Sequence, residues 1–356
     1  MVIYFLLFFI SIFFAFRAEK RRKNDVVYVL YMAVIIVLNS FIAGARNDDI
    51  GTDISFYAYY VFHTDAYLNL EDVEIDLAIV LLAKFVHLFS DTFGVFLFFV
   101  EAWILGFACY AATLIRKRLS IVLFITFFCL MAYNQSLNIM RQSMAMSVIM
   151  CAVVHLMRKE YMRMFLFMVV AYFCHSTSII GLLFIIAYYG AQQFGVKKIL
   201  LFVSIMGVAL VVSFNALFYQ LISIALSNNL LASQYERYAV NDYGEISRTT
   251  IFISIMYVIS FGVILKDKVT VENFLTMFAL IMALALAYCS LGGEIVPRIR
   301  LYFTYINILF FSMSLYRERK YVTWTVLAIA ILNFVISIWI SDYGETTPYR
   351  SKYLGI

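Results

Sequence analysis

Apolar runs of about twenty residues recur along this chain, and each, coiled as a helix, covers the ~30 Å of hydrocarbon in a bilayer. With 64% of the 356 residues hydrophobic and only 14% charged, a soluble fold has no means of burying them. The alternating ten-residue strands of a membrane barrel are missing, so helices must satisfy the backbone. The expected fold class is therefore an all-α, polytopic integral membrane protein. A net charge of +5 invites a nucleic-acid reading, but the basic residues stand in short clusters between apolar runs, where they set membrane orientation. No nucleic-acid partner is implied.

Taking basic loops as cytoplasmic gives anchors at residues 17–23, Arg116 to Arg118, Arg158 to Arg163, Lys197 and Lys198, Lys266 to Lys268, and Arg317 to Lys320. Neighbouring anchors must be an even number of crossings apart. About twelve segments meet that condition: 1–16, 26–45, 92–115, 119–133, 138–157, 162–174, 177–193, 198–227, 249–265, 271–291, 298–316 and 321–341. Both termini then face outward. The first segment lacks a basic residue before it and carries RAEKRRK after it, the reverse of a cleavable signal, so it is expected to remain as a helix. Cys109, Cys129, Cys151, Cys174 and Cys289 all fall in apolar segments without paired spacing and read as small core hydrophobes.

No internal repeat or linker is visible, so residues 1–356 read as one membrane domain. Three outer regions stand out: 46–91, 228–248 and the tail 342–356. The first carries an acidic patch, Glu71, Asp72, Glu74 and Asp76, followed by DLAIVLLAKFVHLF, whose spacing suits a helix lying at the membrane surface. Seven of the nine basic residues placed outside are arginine: Arg46, Arg141, Arg237, Arg248, Arg298, Arg300 and Arg350. This runs against the orientation bias, and a guanidinium fork suits phosphate and carboxylate.

Segment 162–174 is short, spanning only ~20 Å, and ends in His175, Ser176, Thr177 and Ser178. Irregular backbone at that depth must line protein or water, so a cavity opening to the outer face is expected.

Five stretches carry candidate chemistry. In RNDDIGTDISFY, Gly51 permits a tight turn and Asp53 can cap a helix that contains Tyr57. The plain reading makes Arg46 a snorkelling residue and Tyr57 part of an aromatic belt; the functional one pairs an arginine with a carboxylate. In NQSLNIMRQSMAMSV, Asn138 as a cap would set Arg141 and Gln142 in the first turn, where anions bind. His175 in FCHSTSII is either a hydrogen-bonded helix contact or a catalyst, and no second ligand at suitable spacing supports a metal. GGEIVPRIRLYFTYIN opens a helix near Pro297, with Arg298 and Tyr302 on one face and Glu294 just before it. TTPYR supplies Tyr349 and Arg350 in a tail whose plain reading is a disordered end.

The ordered set Arg46, Gly51, Asp53 and Tyr57, then Asn138, Arg141 and Gln142, then His175 and Ser178, then Arg298 or Arg300 before aromatics, then Pro348 and Tyr349, resembles the EpsG family of Wzy-type polysaccharide polymerases over nearly the whole chain. The resemblance implies a glycosyltransferase of the bacterial inner membrane with its active site on the outer side. It would transfer a growing glycan from undecaprenyl diphosphate onto a sugar hydroxyl of the next lipid-linked unit, for an O-antigen, a capsule or an exopolysaccharide. One or more of Arg46, Arg141, Arg298 and Arg300 would hold the diphosphate. Asp53 or His175 would take the proton from the acceptor, while Tyr57, Asn138, Gln142, Ser178, Glu294, Tyr302, Tyr349 and Arg350 would contact substrate. No cofactor, metal or nucleotide sugar is required; a chain-length regulator and the flippase of the same pathway are the partners implied. A transporter of glycan or lipid-linked sugar, and a glycan ligase or acyltransferase, are the alternatives.

Overall fold

The computed structural model describes residues 2–63, 76–227, 248–266, 270–289, 295–342 and 344–355. Glu71, Asp72, Glu74, the outer segment 228–247 with Arg237, Lys268 and Glu294 lie outside them. Among the described residues there are helices and no strand. Seven helices among the described residues are long and apolar enough to cross a membrane, and five shorter apolar helices accompany them, which makes this a multi-pass membrane protein. Each of the twelve segments expected from the sequence overlaps a helix, and the seven helices long and apolar enough to cross a membrane fall on seven of them.

Two compact units share the chain: residues 1–181, 311–317 and 334–356 form the first, and 182–310 with 318–333 the second. In the first, α1 (Val2–Lys20) and α2 (Asp25–Ala45) form a hairpin. Asn24 caps α2 by accepting from the Val27 N–H at 3.2 Å. A single turn, Ile54–Phe56, continued by a π-helical stretch, Tyr57–Phe62, makes α3. A helix does follow Asp76, α4 (Leu77–His87), which buries Ile79, Val80, Ala83 and Val86 and packs on α5 (Phe93–Leu114). Next come α6 (Ile121–Ser136), α7 (Met140–Met157) and α8 (Tyr161–Cys174).

The α2–α5 crossing depends on two glycines. A Cβ on Gly44 would stand 2.5 Å from the Gly94 carbonyl oxygen, and one on Gly94 would strike the Gly44 oxygen, so the backbones meet where neither residue has a side chain. Helix α7 is the axis of this unit: every one of its residues except Arg141 is buried. A helix surrounded by protein rather than lipid can carry Gln142, Ser143, Ser147 and His155 along its length.

The end of the unit with the basic loops is tied by charge. Glu19 accepts from Ser120 Oγ at 2.8 Å and from the Val122 N–H at 3.0 Å, placing a carboxylate on the start of α6. Arg116 pairs with Asp25 and covers the Tyr28 ring. At the α7–α8 turn, Glu160 accepts from Arg158, Arg163 and His155 Nδ1. Those bonds, the one from Arg158 foremost, hold the Glu160 carboxyl down at about 2 against an ordinary 4.5. A depressed folded value stabilises fully above about 4.5 and is lost as pH falls through about 2. Protection of amides 155–163, taken relative to the intrinsic exchange rate at each pH, is therefore expected to fall as pH drops across that window, and Glu160→Gln should remove the dependence.

In the second unit, α9 (Leu182–Phe194), α10 (Val196–Ser227) and α11 (Arg248–Leu265) each pack on α12 (Val271–Ala287), and Phe184, Phe278 and Phe303 form an aromatic cluster. The last of these rings lies on α13 (Ile295–Ser314), and α14 (Lys320–Phe334) continues as a π-helical stretch, Val335–Ile340, back in the first unit. All five cysteines are buried and unpaired, as core hydrophobes would be.

Candidate functional site

Helix α8 stops at Cys174 after 14 residues because His175 turns to an extended backbone, and a 3-10 turn, Ser176–Gly181, follows. The short segment expected from the sequence is thus real, and its end delivers His175 to the start of α7. There His175 Nδ1 lies 2.9 Å from Asp76 Oδ2, and the same oxygen accepts from Arg141 Nη1 at 3.0 Å. Asp76 occupies the cap position of α4 yet makes no side-chain bond to that helix. Its carboxylate instead crosses to join a guanidinium and an imidazole. All three side chains are partly exposed, at 23%, 14% and 21% for Arg141, Asp76 and His175.

Around this triad stand the residues of the first motif. The Arg141 N–H donates to Tyr57 Oη at 3.5 Å, and its guanidinium covers the Phe56 ring at 5.4 Å. Burial raises the Tyr57 phenol above its ordinary value, so it remains a neutral donor beside the arginine. Asp53 stands at the head of α3 but makes no capping bond to it, and lies within electrostatic reach of Arg141 and Tyr57. Ser178 is wholly buried, its N–H bonded to the His175 carbonyl at 3.0 Å, and Gln142 is buried behind Arg141.

Asn138 is not the cap of α7. Ile139 holds that position without a capping bond, because the Asn138 amide is engaged elsewhere and donates to the Gly344 carbonyl at 2.8 Å. Gly51, at φ +112°, and Gly344, at φ +80°, close on its two sides where a Cβ on either would strike the amide. The tail reading as a disordered end is likewise overturned. Backbone N–H groups of Asn47, Gly51 and Thr52 donate to the carbonyls of Arg350, Glu345 and Gly344 at 3.0, 3.1 and 3.3 Å, so the tail runs antiparallel to the first motif. Tyr349 donates to the Ile42 carbonyl at 2.9 Å, and burial pushes its phenol up to about 12. Arg350 pairs with Asp49 at 2.8 Å.

Arg46 is neither snorkelling nor surface-exposed, since only 2% of it is accessible. Arg298, Arg300 and Tyr302 belong to the second unit, with the arginines half-buried near the start of α13 and Tyr302 buried. The sequence reading missed Glu101, which is 1% exposed on α5. Its signal was plain: it is the single carboxylate in the 22-residue run FGVFLFFVEAWILGFACYAATL, and such groups inside membranes are rarely idle. Among the described residues no three His, Cys, Asp or Glu side chains gather into a metal site.

The model of the EpsG family matches residues 29–351. The chain belongs to the EpsG family. This is a family of Wzy-type polysaccharide polymerase-like membrane proteins, associated with polysaccharide biosynthesis. The EpsG match takes in every motif residue from Arg46 to Arg350, including the Arg141–Asp76–His175 group and the tail that closes on the first motif. No curated protein and no solved structure matches the chain.

Proposed function

We propose that this EpsG-family chain polymerises lipid-linked oligosaccharides, transferring a growing glycan from its polyprenyl diphosphate to a sugar hydroxyl of the next unit on the outer leaflet. The observation that carries the reading is the Asp76 oxygen shared by a cation and an imidazole. With Nδ1–H donated to Asp76, the His175 Nε2 lone pair is the atom that can accept a proton. Asp76 orients the ring and stabilises the imidazolium that forms.

The acceptor hydroxyl loses its proton to His175 Nε2 as its oxygen bonds to the anomeric carbon of the donor. The bond from that carbon to the diphosphate oxygen breaks, and the electron pair leaves with the diphosphate. Arg141, fixed by Asp76 and Phe56, meets the developing negative charge. His175 is the better placed of the two candidate bases, because Asp76 holds its Nδ1 and leaves Nε2 to accept a proton. Arg298 and Arg300 remain candidate substrate contacts carried by the second unit.

Purified protein in liposomes, given a lipid-linked repeat unit, should yield a ladder of lengthened glycans. His175→Ala should slow the ladder by on the order of 10²- to 10⁴-fold with the melting temperature nearly unchanged. Arg141→Lys should rescue Arg141→Ala poorly, because the ammonium lacks the fork. A ladder of normal rate from His175→Ala removes the assignment.

A further inference from the structure

Arg46 leaves the end of α2 and turns back into the first unit, where its Nε and Nη1 have no hydrogen-bond partner. Arginine stays protonated in proteins, so a buried guanidinium demands a counter-charge. Glu101 supplies one. It lies two turns along α5 from the Gly94 crossing, accepts from Ser136 Oγ at 2.8 Å through Oε2, and leaves Oε1 buried without a partner. The two groups are within electrostatic reach but do not bond directly.

Three tyrosines complete the collar around Arg46: Tyr4, Tyr133 and Tyr349. Each donates its hydroxyl proton to a backbone carbonyl, Tyr4 to Thr346 at 2.8 Å, Tyr133 to Asn39 at 2.9 Å and Tyr349 to Ile42 at 2.9 Å. Each oxygen therefore keeps lone pairs with which to accept, and all three phenols lie within electrostatic reach of the guanidinium. Unpaired donors on one side and an unpaired acceptor on the other call for a group that both accepts and donates, and internal water is the smallest that does.

We propose that Arg46 and Glu101 form a buried, water-bridged charge pair that locks the 46–53 loop and the 344–351 tail into one piece. Arg46 is thereby a positioning residue for the Arg141–Asp76–His175 group and not a ligand of the diphosphate. Its consequence for activity rests on the polymerase reading; the pair itself does not. The test is a cycle of Arg46→Gln, Glu101→Gln and the double variant, read in two ways. Melting in detergent without substrate should fall in each single variant, and the double should recover part of the loss. In the liposome assay each single variant should lower kcat with KM for the lipid-linked donor held within about twofold, and the double should exceed the product of the singles by about tenfold or more.

Additive losses in both readouts overturn the pair. A raised KM in Arg46→Gln with normal Glu101→Gln overturns the positioning role and restores Arg46 as a substrate ligand. If no glycan forms even with the parent protein, the polymerase reading fails while the melting cycle still decides the pair. Should Arg46→Gln not fold, Arg46→Lys and Glu101→Gln carry the same cycle, with faster amide exchange at 344–351 in Glu101→Gln as the expected sign and unchanged exchange as the contrary one.

Discussion

Asp76→Asn is expected to stop glycan lengthening while leaving the helices in place. One carboxylate oxygen holds both Arg141 and His175 at 3.0 and 2.9 Å. Asparagine keeps the shape, but a neutral amide neither stabilises an imidazolium nor balances the guanidinium, so both groups lose their fixed placement together. The rate should drop on the order of 10²- to 10³-fold, about 3–4 kcal/mol of transition-state stabilisation. Asp76 is partly exposed and sits at a helix start, so melting should move little. Initial rates of lengthening beside a melting curve check this. A variant with normal rates would mean the shared oxygen is a resting-state salt bridge without a part in transfer.

Alanine at Gly44 or Gly94 should do the opposite, removing folded protein before any chemistry can be measured. The atom each new Cβ would meet is a backbone oxygen of the facing helix, which cannot swing aside as a side-chain end would. The helices must part, at a cost of roughly 1–3 kcal/mol or more, from a native state marginal by only about 5–15 kcal/mol. Separation also disturbs Arg46 and Glu101, which lie on either side of the crossing. Gly106 provides the control. It lies in α5, where a Cβ would meet nothing within 4 Å, and Gly106→Ala should be neutral or gain about 0.5–1 kcal/mol. Detergent melting of the three variants separates these outcomes, and equal melting of Gly44→Ala and Gly106→Ala would deny the crossing its importance.

The helices were legible because lipid permits so few ways to satisfy a backbone, and a long apolar run then has one reading. The short helix before His175 was legible by counting residues, since length against bilayer thickness is arithmetic. The partners within the site were not. Asp76 looked like one of four acids in a loop, because nothing local shows that a carboxylate at a helix start will ignore its own N–H groups and reach residues 65 and 99 positions away. Asn138 looked like a cap for the same reason; its amide is claimed by Gly344, 206 positions on. Propensity speaks for neighbours in sequence, and these choices were made by neighbours in space. Glu101 differs, since a lone carboxylate in an apolar run of 22 residues is marked by composition alone.

The tail that closes over the first motif carries a consequence for how the molecule is made. Tyr349 bonds a carbonyl 307 positions earlier, so at ~5–20 residues per second the ribosome needs about 15 to 60 s to supply what α1 and α2 are waiting for. Throughout that interval the nascent chain holds an arginine whose tyrosine collar is incomplete. Quality-control proteases thus have a window in which to remove chains that stall, and the closed first motif comes into being only once synthesis has reached this tail.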